Sequence, residues 1–135
     1  MAQSNYLYNK ILEFMVGNRE FTNSSDFYIA LSTTDVSLGE NISEPIGNGY
    51  ARLHVANNPT NWSINTDGIV TNNIDLTFNE STAPWGTIKS IVVYDSAIDG
   101  NILYSTKLNP ELIVQNTTVV SLPVGSVKFG KVTEA

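Results

Sequence analysis

One histidine, His54, is the only side chain that ordinarily titrates near neutral pH, and it stands in Tyr50-Ala51-Arg52-Leu53-His54-Val55. Period-two alternation places it on one strand face with Tyr50 and Arg52. No Ser-His-Asp arrangement, His-x-x-x-His pair, nucleophile elbow, phosphate loop or dinucleotide fingerprint accompanies it. A strand histidine of this kind is a surface or packing residue, and no catalytic residue is assigned: the chain is not expected to be an enzyme. The oxygen-rich run Asp95-Ser96-Ala97-Ile98-Asp99-Gly100-Asn101 has the ligand types of a calcium loop, but neither its spacing nor a closing glutamate. Asp99-Gly100 between two apolar runs is instead the chemistry of a tight hairpin needing positive φ. Neither a metal nor a cofactor site is expected.

Two further groups have chemistry without catalysis. Trp62, beside Asn61 in Asn57-Asn58-Pro59-Thr60-Asn61-Trp62-Ser63, is the better candidate for a glycan contact, a ring to stack on a sugar with amides reading hydroxyls. Trp85, before Gly86 and a long apolar strand, reads as core. Glu44 and Arg52 flank the turn formers Pro45-Ile46-Gly47-Asn48-Gly49-Tyr50, which are able to return the chain and close an Arg-carboxylate fork. A solvated, unpaired arrangement is the alternative at this stage.

The elements that must position these residues begin with a helix over residues 4–16. Leu7, Ile11, Phe14 and Met15 fall on one face, with Tyr8 and Val16 beside them, while Asn9, Lys10 and Glu13 fall elsewhere. Ser4 is the expected N-cap and Gly17-Asn18 the stop. So short a helix is not stable alone, and its stripe is the expected assembly interface. From residue 27 onward, short β-branched and aromatic runs alternate with Gly, Pro, Asn and Asp. Strands are expected at 27–32, 50–55, 68–70, 74–78, 87–95, 102–108, 117–122 and 126–129. Ile74, Leu76 and Phe78 should share a face, and Ile88, Val92 and Tyr94 do so only if a bulge shifts the register after Ile91. Hairpin-length connections favour antiparallel pairing. The fold class is therefore mainly β: an antiparallel, jelly-roll-like β-sandwich over 27–130 with one N-terminal amphipathic helix, in a single domain spanning 1–135. The longest connection, residues 35–48, reads as a binding element or a strap across a sheet edge.

Composition excludes other classes. The 135 residues hold no cysteine, so packing and sheet hydrogen bonds must stabilise the fold. A net charge of −6 with seven scattered Lys and Arg gives no stripe for a phosphate backbone, so no nucleic acid is expected. Apolar runs are far shorter than the roughly 18 to 20 residues that span a bilayer, so no membrane association and no export signal are expected. The abundant Asn-x-Ser/Thr triplets follow from an Asn, Ser and Thr-rich β surface.

Across nearly its whole length the sequence resembles the small tail-fibre-type virion proteins of tailed bacteriophages. The matching elements follow the N-terminal helix in order. They are Tyr28-Ile29-Ala30-Leu31-Ser32-Thr33, Ser43-Glu44-Pro45 through Gly49-Tyr50-Ala51-Arg52, and Asn72-Asn73 leading to Leu76-Thr77-Phe78. Ala83-Pro84-Trp85-Gly86-Thr87-Ile88, Val93-Tyr94-Asp95, Gly100-Asn101-Ile102-Leu103-Tyr104 and Val124-Gly125-Ser126-Val127-Lys128-Phe129 complete the set. The resemblance implies a virion structural protein with a β-sandwich body, assembled in the bacterial host cytoplasm and bound to tail, fibre or capsid subunits. A tail-associated place is expected first and a capsid decoration or head-fibre place second. A carbohydrate-binding module, with a host surface glycan as ligand, is the alternative from another class. Self-assembly to a trimer or dimer is expected.

Overall fold

A computed structural model describes residues 2–17, 24–36 and 41–130. The order is β1 (Ala2–Gln3), α1 (Asn5–Met15), β2 (Asp26–Ser32), β3 (Leu53–Ala56), β4 (Trp62–Ile64), β5 (Ile69–Asn72), β6 (Leu76–Thr77), β7 (Gly86–Tyr94), β8 (Ile102–Val114), β9 (Ser121–Leu122) and β10 (Lys128–Gly130). The protein is mainly β, every strand pair is antiparallel, and α1 is the single helix among the described residues. Three sheets form, in the orders β1-β8-β7-β2-β3, β10-β5-β4 and β6-β9.

The inner face of the five-stranded sheet supplies Phe27, Ile29, Leu31, Ile88, Ile91 and Val93 to one core. Trp62 and Phe129 come from the three-stranded sheet, Leu76 and Leu122 from the two-stranded one, and Leu7 from the helix. Facing layers sharing one apolar interior are what a β-sandwich requires. The central strands β2 and β7 are covered on both sides, since Ala30, Val92 and Tyr94 form a second cluster with Val36 on the outer face. The long connection thus straps a sheet face rather than an edge, in the part described. Val36 N donates to Ser90 Oγ at 3.0 Å, and that hydroxyl donates to Thr34 O at 2.9 Å. Residues 37–40 lie outside the described residues.

Several boundaries differ from the pattern-based expectation. β3 starts at Leu53, three residues later than expected, because Tyr50 and Arg52 serve the strap instead of the ladder. Ile74 is outside β6 and half-exposed, whereas Leu76 and Phe78 are core, so the three do not share a buried face. β7 shifts register twice, between Ile88 and Ser90 and between Val93 and Tyr94, rather than after Ile91. At the first shift the partner of Ile88 is Leu112 and that of Ser90 is Lys107, so residues 108–111 bulge from β8. A bulge is one place where a sheet tolerates a proline, here Pro110, and β8 continues through it.

Gly49 sits at φ +85° where a Cβ would lie 2.7 Å from the Glu80 carbonyl oxygen. Gly49→Ala therefore combines a left-handed backbone with a clash against main chain, and should cost about 2 kcal/mol. A urea midpoint equal to wild type would contradict this.

Candidate assembly interface

Helix α1 is fixed at its start. Ser4 Oγ accepts the Leu7 N–H at 3.1 Å, the Ser4 N–H donates to Leu103 O at 2.9 Å, and β1 pairs Ala2 and Gln3 with Ser105 and Tyr104 of β8. From that anchor the helix lays Leu7 into the core, with Ile11 packed against it. The expected stripe then divides. Phe14 and Met15 are 58% and 71% exposed, so only half of the predicted residues are free to meet a partner, and Leu7 is not one of them. Tyr8 and Leu12, 53% and 41% exposed, extend the uncovered apolar surface instead. Leu12 was missed by a reading centred on the Leu7 line, although Tyr8, Leu12 and Met15 repeat at i, i+4, i+7. Lys10 and Glu13 approach to 3.8 Å across one turn.

Glu44 and Arg52 come together as a bidentate fork. Arg52 Nε donates to Glu44 Oε1 and Nη2 to Oε2, both at 3.0 Å. Arg52 Nη1 reaches further, to the carbonyls of Ser96 at 2.9 Å and Asp99 at 2.8 Å, while the guanidinium carbon lies 3.5 Å from the Tyr94 ring centroid. Tyr50 Oη donates to Glu44 Oε1 at 2.7 Å and accepts the Leu31 N–H at 3.1 Å. Trp85 Nε1 and Thr82 N both donate to Asn48 O, at 2.8 and 2.9 Å. One arginine therefore joins the strap, the sheet and the β7–β8 turn, and the two turns it holds present Ile46 and Ile98 to solvent.

Burial pushes the Tyr50 phenol well above the ordinary tyrosine value; the Leu31 N–H partly opposes this, and the Glu44 carboxylate raises it again. A phenol whose folded value is raised contributes stability that is complete below the ordinary value and lost as pH rises past it. The denaturant midpoint should fall between about pH 9 and pH 11, and fall less steeply in Tyr50→Phe. Equal slopes in the two proteins would dissociate Tyr50 from the alkaline loss.

Trp62 does not present the open stacking ring expected of it. Trp62 is 6% exposed, packed edge-on to Phe27 at 5.7 Å and tilted against Phe129 at 5.3 Å, so neither ring face is open to a sugar. Among the described residues its Nε1 has no hydrogen-bond partner. Asn61 donates from Nδ2 to Ala56 O at 2.9 Å, serving the turn. His54 Nε2 lies 2.5 Å from Asp26 Oδ1 beside the Tyr28 ring, an exposed pair across β2 and β3, and Ser25 Oγ donates to Asp26 Oδ2 at 3.0 Å. Both Asp95 oxygens accept from Asn101, at 2.7 Å from N and 3.0 Å from Nδ2, and Asp99 and Gly100 take positive φ, so this segment is a hairpin turn. Among the described residues no group of three acidic or imidazole side chains is placed to hold a metal, and no helix is long and apolar enough to cross a membrane.

Comparison with known proteins adds one match. The family described as podophage GP4 fiber I protein gp80 matches residues 2–130. No curated protein matches the chain.

Proposed function

The chain belongs to the podophage GP4 fiber I protein family, a family of phage fibre proteins, and from that premise we propose that it is a tail-associated fibre component acting by protein–protein assembly. A virion structural role of the fibre type follows from the family itself, as does association with other virion components. A role without catalysis is what such a family suggests. The observation that carries the assembly reading is the uncovered apolar side of α1 on a body whose sheets already share one apolar core. An apolar surface of this kind on a chain of net charge −6 marks a protein contact rather than a nucleic-acid one.

Antibody to an epitope tag on the chain, applied to purified virions and viewed by electron microscopy, tests this reading. Label at the tail supports it. Label confined to the head would move the protein to a head-fibre or capsid-decoration place, and unlabelled particles would remove it from the virion.

A further inference from the structure

We propose that Asn48 is a self-modifying residue, whose side chain cyclises onto the Gly49 nitrogen and opens to isoaspartate in the folded chain. Trp85 and Thr82 promote the step with the two donors they place on the Asn48 carbonyl. Asn48-Gly49 is the one Asn-Gly pair in the sequence. It occupies the central positions of a turn, at φ 56° and 85°, that the Tyr50 N–H closes onto Gly47 O at 3.0 Å. Both residues are exposed, and among the described residues neither the Asn48 side chain nor the Gly49 N–H has a hydrogen-bond partner. The side-chain amide is therefore free to turn toward the nitrogen, and glycine has no Cβ to block its approach.

Ring closure uses the Gly49 nitrogen as its anion, and amide resonance spreads that charge onto the Asn48 oxygen. This oxygen accepts from Trp85 Nε1 at 2.8 Å and from Thr82 N at 2.9 Å. Trp85 is 6% exposed, so its N–H is aimed and shielded from water before any charge develops. The step balances without a cofactor. Solvent base takes the Gly49 proton, the nitrogen bonds to Asn48 Cγ, and the Cγ–Nδ2 bond breaks to release ammonia. Water then opens the cyclic imide: cleavage at Cγ gives aspartate, and cleavage at the main-chain carbonyl gives isoaspartate. In the isoaspartate the former Asn48 carbonyl is a carboxylate facing the same two donors, which favours that product. The net charge moves from −6 to −7, as one neutral amide becomes one carboxylate. The main chain also gains a methylene where a Cβ on Gly49 would lie 2.7 Å from Glu80 O. The turn cannot keep both that close approach and its Tyr50-to-Gly47 bond, so the strap loosens at Tyr50, whose hydroxyl joins Glu44 to Leu31.

The test is to age the purified full chain in mildly alkaline buffer, count isoaspartate with an isoaspartyl methyltransferase, and locate it by peptide mass mapping. Isoaspartate should accumulate at residue 48 of the folded protein. Trp85→Phe, which keeps a ring but loses the donor, should slow this about tenfold in the folded chain. In urea, where the donor is no longer aimed, the two proteins should be modified at equal rates. A folded Trp85→Phe modified as fast as wild type, or faster, would mean that turn mobility alone sets the chemistry and would overturn the role of the donors. Should this variant fail to fold, wild type grown with fluorotryptophan, a stronger indole donor, replaces it: modification should speed up, and an unchanged or lower rate counts against the donors equally. No isoaspartate in folded protein, under conditions that modify the urea-unfolded chain, refutes self-modification. The isoaspartyl fraction, separated by ion exchange on its added charge, should unfold at lower urea than fresh protein. An equal midpoint refutes the loosening of the strap.

Discussion

Asn72→Ala is expected to cost about 3 to 5 kcal/mol, the largest loss for any polar substitution considered, because this side chain replaces missing sheet hydrogen bonds inside the core. Asn72 ends β5 and is fully buried. Its Nδ2 donates to Ile74 O at 2.8 Å and Pro123 O at 3.0 Å, with Leu122 O at 3.4 Å, while its Oδ1 accepts the Val127 N–H at 3.0 Å. The main chain adds Gly125 N to Asn72 O at 2.9 Å. Alanine would remove the acceptor of the Val127 N–H and the side-chain donor to Ile74 O, and open a void beside Val127, itself 1% exposed, while Pro123 O would keep Ser126 N and Oγ. Asn72→Asp should be no better, since it turns a donor into an acceptor facing carbonyl oxygens. Urea unfolding of both variants checks the claim, and a loss below 1 kcal/mol in the alanine variant would show that water or local rearrangement satisfies these groups.

The same residue shows where a sequence is hard to read. Asn72 is inside and Ile74 outside, the reverse of what their hydropathy suggests, because all but one of the side-chain partners of Asn72 lie about fifty residues further along the chain. Trp62 misled in the same way. Its polar neighbours build a turn in which Asn58 Oδ1 accepts from the amides of Thr60 and Asn61, while the ring begins a three-residue strand too short to show an alternation. Where local chemistry alone decides the structure, the reading was direct. Ser4 caps the helix and Asp99-Gly100 turns the β7–β8 hairpin, since each depends on residues a few positions away. The helix lay between these cases. Its spacing located the apolar positions, but which of them the body covers depends on the angle at which β8 receives it.

Arg52→Ala is expected to cost about 2 to 4 kcal/mol, because four hydrogen bonds and a ring contact depart with one side chain. The Arg52 side chain is 8% exposed and that of Glu44 24%, so the arginine gives up most of its water while the carboxylate keeps some. That asymmetry determines which partner matters more. Without Arg52, the carbonyls of Ser96 and Asp99 lose their donor and the face of Tyr94 is bared, and Glu44 retains only the Tyr50 hydroxyl. Without Glu44, Arg52 keeps both carbonyls and the ring, so Glu44→Gln should cost less than Arg52→Ala. Arg52→Lys should recover little, because an ammonium cannot form the fork and reach the turn at once. In a double-mutant cycle, Glu44→Gln and Arg52→Ala together should cost less than the sum of the two. Equal losses for Glu44→Gln and Arg52→Ala, or strict additivity, would mean that the strap and the β7–β8 turn are held by their own packing and not through this arginine.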